Sequence, residues 1–106
     1  MTLEQIRKSP TVATASIAAA MDHSDSIFSY ISSCFQRFYS GDYGEMGAED
    51  TNANNAELAA GEGRIVARYK AQFGLDEDIY IISVFSAENP GNKDYNNTCV
   101  MYCSEY

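Results

Sequence analysis

After Ser24 the apolar residues recur at helical spacing: Ile27, Ile31, Cys34, Phe35 and Phe38 share one stripe, widened by Phe28 and Tyr39. Ser29, Ser32, Ser33, Gln36 and Arg37 fill other positions, and Gly41 stands where a left-handed C-terminal cap belongs. The pattern predicts an amphipathic helix from about Asp25 to Ser40. Ahead of it, Thr2 and Gln5 have capping-box spacing around a single helical turn. Pro10 pushes Ser9 toward an extended conformation, leaving room for a short edge strand over Lys8 to Val12. Thr14 caps a short helix through Met21, and the Asp22-His23-Ser24-Asp25 cluster ends it and caps the next.

Between Gly41 and Gly63 the character changes. Asp42, Glu45, Glu49, Asp50, Glu57 and Glu62 appear without one Lys or Arg among them. Asp50 or Thr51 can cap a helix ending at Ala59-Ala60, with Gly61 as its stop. Its apolar face (Ala53, Ala56, Leu58, Ala60) is thin, and Asn52, Asn54 and Asn55 lower its helix propensity. From Arg64 the period becomes two. Ile65, Ala67, Tyr69, Ala71 and Phe73 fall on one face of a strand, and Gly74 to Asp78 is a hairpin-length break. Ile79 to Phe85 reads as a central strand buried on much of both faces; a polar loop (Ala87 to Asn97) leads to a last strand from Thr98 to Cys103. The expected fold is α+β: two to three helices packed on a three-stranded antiparallel sheet, with that extra edge strand as an option.

At 106 residues the chain makes one domain, residues 1–106, able to form a core without disulfides or metals. No apolar run approaches the ~18 residues of a membrane span, and no signal-peptide pattern opens the chain, so the expectation is a soluble cytoplasmic protein. Fifteen acidic side chains against seven basic ones give a net charge of −8. That argues against direct binding to nucleic acid or an anionic membrane, both of which are held by Lys and Arg. It permits an ordinary solvated acidic surface or attraction to a basic protein surface.

Candidate chemistry is sparse. Cys99 and Cys103 would stand about 13 Å apart on a strand, too far for a disulfide or a paired zinc ligand, and core-filling thiols are the better reading. His23 beside Asp22, Ser24 and Asp25 suggests capping rather than a triad, because adjacent residues on a turn do not face one another. Gly61-Glu62-Gly63 lacks the lysine of a phosphate loop, and the paired acids lack calcium-loop spacing. The reading is therefore non-enzymatic, with no catalytic residues, no metal and no cofactor. What remains is charge. Acids spaced along a rigid surface imitate a phosphate backbone and can occupy a groove built for nucleic acid. The partner-binding candidates are Asp42, Tyr43, Glu45, Glu49, Asp50, Glu57, Asp76, Glu77, Asp78 and Tyr80, with the two tyrosines as aromatic anchors.

Gly41-Asp42-Tyr43-Gly44, Glu49-Asp50, Asn52, Asn55, Gly63-Arg64-Ile65, Ala67, Tyr69, Ile79-Tyr80-Ile81-Ile82 and the ending Thr98 to Tyr106 form one order of blocks. This order resembles a family of small orphan proteins carried by bacterial plasmids, phages and integrative elements, over roughly residues 28 to 106. A longer Ser86 to Asn97 loop departs from it. The resemblance carries no catalytic residues. It implies a context in which small acidic proteins inhibit host defence, anti-CRISPR and anti-restriction proteins among them. The expected partner is then a basic protein surface such as that of a Cas effector nuclease. The alternative is a self-associating accessory protein of the mobile element, a homodimer through an apolar face.

Overall fold

In the computed structural model, which describes residues 1–106, the β-branched run after Asp78 forms the strand β3 inside a four-stranded sheet. In chain order the elements are α1 (Leu3–Arg7), β1 (Thr11–Ala13), α2 (Ala15–His23), α3 (Asp25–Tyr39), α4 (Ala48–Ala60), β2 (Glu62–Tyr69), β3 (Ile79–Ser86) and β4 (Asn97–Tyr102), with a short 3-10 turn over Cys103–Glu105. The strand order is β1-β4-β3-β2. β2, β3 and β4 form the expected antiparallel meander, with Val66 opposite Ile82 and Ile82 opposite Cys99.

The sheet has four strands and is mixed, where three antiparallel ones were expected. β1 runs parallel to β4, placing Val12 opposite Cys99. Pro10 has no N–H to give, but its carbonyl accepts from Thr98 N–H (2.9 Å). Thr14 N–H donates to the Val100 carbonyl (3.1 Å), so three residues suffice to extend the sheet.

Register decides which side chains meet the helices. Ile65, Ala67 and Tyr69 of β2, Ile79, Ile81 and Phe85 of β3, and Val100 and Tyr102 of β4 are buried on one face. Ile17 of α2 and Ile27, Ile31, Cys34 and Phe38 of α3 close over them. Ser83 and Thr98, also buried on that face, satisfy one another through their hydroxyls. α3 matches its predicted stripe at Ile27, Ile31, Cys34 and Phe38, with Phe35 and Tyr39 half-buried beside them, but Phe28, expected to widen the stripe, is 56% exposed. Ser24 Oγ accepts from Ile27 N–H (3.2 Å) at its start, and Gly41 at φ +88° follows its end. The capping box at Thr2 and Gln5 is present as well.

β2 is shorter than the alternation suggests. It stops at Tyr69, and Ala71 and Phe73 are exposed rather than facing the core. The chain turns away because Asp78 accepts from Ala71 N–H (2.9 Å), the Tyr30 hydroxyl donates to the Lys70 carbonyl (2.6 Å), and Phe73 adopts φ +57°. A left-handed conformation at a bulky residue such as Phe73 is uncommon and marks a turn rather than regular strand. The Ala87–Asn96 loop is tied together by asparagines: Asn96 accepts from Ser86 N–H (3.0 Å) and donates to the Asn89 carbonyl (2.7 Å).

Candidate functional site

β2 lies at one end of the strand order, so half its backbone groups point away from β3 with no strand to receive them. The segment from Asp42 to Ala60 receives them instead. At one end, Arg68 N–H donates to the Tyr43 carbonyl (3.2 Å), and Glu45 N–H donates to the Arg68 carbonyl (2.7 Å). The approach is close enough that a methyl group on Gly44 would strike the Arg68 carbonyl and the Tyr69 ring. In the middle, the Asn54 amide donates to the Val66 carbonyl (2.9 Å), and its oxygen accepts from Val66 N–H (3.1 Å). One side chain thus takes the place of a neighbouring strand. Toward the other end the Glu57 carboxylate lies against Gly63, whose φ of +126° favours glycine and where a β-carbon would displace that carboxylate.

These contacts pin α4 along the β2 edge, and they correct how the helix was expected to pack. Its buried residue is Asn54; Ala53, Ala56 and Ala60 are exposed, and only Leu58 packs partly on the core. The helix starts at Ala48 after Gly47, without a side-chain cap, so neither Asp50 nor Thr51 is its cap. Glu49 and Asp50 lie in the first turn, where the helix dipole favours negative charge.

The predicted partner-binding residues separate into three groups. Glu45, Glu49, Asp50 and Glu57 follow one another along the β2 edge and form no ion pair. Asp42, Glu77 and Asp78 are held by the protein itself. Asp42 pairs with Arg37 (2.7 Å) and accepts from Gly44 N–H (3.0 Å), which holds its carboxyl below the usual range. Asp78 is lowered likewise by Ala71 N–H and by Arg68 (2.9 Å), and Glu77 accepts from the N–H and hydroxyl of Ser104 (2.7 and 2.9 Å). Arg68 joins the two stretches, because it touches the Tyr43–Glu45 backbone on one side and Asp78 on the other. Asp76 is exposed in the turn before β3.

The two tyrosines stand in different surroundings, and only Tyr43 departs from the expected role of an anchor. Tyr43 is 4% exposed and packs edge-on against Phe38, ring centroids 5.9 Å apart, so it is part of the core and cannot anchor a partner. Tyr80 sits on the sheet face away from the helices, edge-on to Tyr106 at 5.7 Å. The feature that sequence reasoning missed is Asn54. Its signal was present as a run of asparagines inside a helix that intrinsic propensity alone disfavours.

Reactive groups are dispersed. Burial pushes the thiols of Cys34, Cys99 and Cys103 up, keeping them protonated and weakly nucleophilic. His23 is exposed at the end of α2, and no three metal-ligating side chains come together. No helix is long and apolar enough to cross a membrane. What fold and site define together is an α+β domain with one sheet edge sealed by an acidic helical segment. Set beside protein-family models, curated proteins and solved structures, the chain matches none of them.

Proposed function

We propose that the protein is a non-catalytic inhibitor that lays its acidic β2 edge into the basic nucleic-acid-binding surface of a bacterial defence nuclease, in the manner of an anti-CRISPR protein of a mobile element. The observation that carries this reading is the row Glu45, Glu49, Asp50 and Glu57, unpaired and mounted on a segment hydrogen-bonded to the sheet through the Glu45 backbone and the Asn54 side chain. A charge row imitates phosphates only if its spacing is held. Asn54 and the Gly44 contact supply that rigidity while leaving most of α4 uncovered. From Glu49 to Glu57 the helix rises about 12 Å, comparable with a few nucleotides of backbone. Asp76 extends the charge past the Arg68–Asp78 pair, and Tyr80 lies beside it.

The test is capture of purified Cas effector nucleases by the immobilised protein, washed at low and at high salt. Binding should be lost at high salt. The triple variant Glu49→Lys, Asp50→Lys, Glu57→Lys should bind at least roughly tenfold more weakly, because charge pairs across such surfaces are strongly coupled. A folded triple variant with unchanged affinity, or capture indifferent to salt, overturns the proposal.

A further inference from the structure

The helices that close the core, α1 to α3, lie on one side of the sheet, and α4 lies along its edge. The opposite face is built from Arg64, Val66 and Arg68 of β2, Tyr80, Ile82 and Val84 of β3, Cys99 and Met101 of β4, and Val12 of β1. A sheet with one face in water alternates apolar-in and polar-out. Here most outward positions of the two inner strands are also apolar, the polar ones being Ser86 and Asn97 at one end of the sheet. Only Ile82 and Ser86 among them are buried; Val66, Tyr80, Val84, Cys99 and Met101 are half-covered, Val12 is 48% exposed, and Tyr106 beside Tyr80 is 59% exposed. The strand pattern is that of a two-sided sheet, yet the chain provides a layer for one side.

From these observations we infer that a second copy of the chain covers this face, the two sheets packing face to face as a symmetric sandwich. Charge points to a second copy rather than to a basic or acidic partner. Overall the chain carries −8, so two copies repel through most of their surfaces. On this face both signs are present: Arg68 is paired with Asp78, the Arg64 guanidinium sits over the Tyr106 ring at 5.2 Å, Glu62 stands at the end of β2, and Asp50 and Glu57 of α4 border Arg64 and Val66 at the β2 edge. An apolar field edged by two arginines and by carboxylates can set the arginines of one copy against the carboxylates of the other, and is self-complementary under a two-fold axis. Area sets the strength. Four strands of these lengths cover about 400–500 Å² at ordinary strand spacing, so a pair buries about 800–1,000 Å², the low end for specific association. The dimer is therefore weak and concentration-dependent. The inference rests on the strand pattern of this face and does not depend on the reading of the acidic edge given above, although Asp50 and Glu57 border both.

The wild-type protein and the variants Val84→Asp and Met101→Asp would be compared by sedimentation equilibrium from low to high micromolar concentration. The expected result is a shift of the wild type from one chain of 11.7 kDa toward twice that mass, and loss of the shift in both variants. Because an aspartate on the sheet could also perturb folding, the wild type is tested separately by site-resolved maleimide labelling. Cys99 should label several-fold more slowly at high concentration than at low, while the fully buried Cys34 stays unreactive throughout. A chain that remains single with concentration-independent Cys99 labelling overturns the inference and leaves the face to an unrelated partner. A dimer that persists in well-folded variants overturns it too, by placing the contact elsewhere.

Discussion

α3 and α4 are of similar length, fifteen and thirteen residues, but they are attached to the molecule in opposite ways. α3 buries Ile27, Ile31, Cys34 and Phe38 and is capped by a serine side chain. α4 buries one residue, Asn54, and that residue is polar. The first helix belongs to the core and is held by the removal of apolar surface from water. The second is a cover for an edge strand, held by two hydrogen bonds from one amide and by the approach of Gly44 and Glu57 to β2. A helix attached in that way keeps much of its surface uncommitted: Glu49 and Asp50 are exposed and unpaired, whereas Glu57, also unpaired, is half-buried against β2. The same substitution of a buried residue by alanine should therefore mean different things in the two helices.

The largest effect is expected from Phe38→Ala. The ring is fully buried between Tyr39 and Tyr43, and its loss leaves a cavity that the surrounding strands cannot fill. A cost of about 3–5 kcal/mol follows, a large share of the stability of a domain this size, read as a cooperative shift of the whole urea transition. A smaller and local effect is expected from Asn54→Ala. That change strands the N–H and carbonyl of Val66 at a partly covered edge, at about 1–3 kcal/mol. Amide exchange should accelerate through α4 and at Val66 while β3 and β4 keep their protection. If β3 and β4 lost protection equally, α4 would be part of the core after all and the contrast between the helices would fail.

What the sequence made legible follows the same division. Elements held by apolar periodicity were readable: α3 with its stripe and its Gly41 stop, and β3 as a strand with apolar residues on both faces. Elements held by hydrogen bonds were not. The end of β2 depends on Asp78, eight residues beyond Lys70, reaching back to the Ala71 N–H, which no alternation of side chains records. β1 is added by backbone groups of Pro10 and Thr14, so its side chains predict little. For α4, the apolar pattern pointed to alanines where an asparagine makes the contact. Of the candidate acids, position along the chain identified the ones on α4. It could not show that Arg37, five residues from Asp42, and Arg68, ten from Asp78, would claim those two acids and leave the rest unpaired.

Those claimed carboxylates provide the finest separation of the two helices, through pH. Asp42 and Asp78 are held below the ordinary carboxylate range by Arg37 with Gly44 N–H, and by Ala71 N–H with Arg68, respectively. A carboxyl lowered in the folded state stabilises fully above its unfolded pKa of about 4, and that contribution fades as pH falls through the lowered value. Both sites are largely solvated, so each contribution is small and weakened by salt. Their placement makes the loss uneven. Asp42 fixes the turn that leads from α3 into the edge segment, and Asp78 fixes Arg68, whose backbone receives that segment. None of the side chains that α3 buries changes charge in this range. On acidification below about pH 4, exchange protection should fall first at Tyr43–Glu45 and along α4, with α3 and the inner strands unaffected until lower pH. Adding salt at neutral pH should reproduce a fraction of that loosening. Asp42→Asn should remove most of the pH response at Gly44 and Glu45 while leaving the inner strands β3 and β4 unchanged, since an amide cannot titrate yet still accepts from Gly44 N–H.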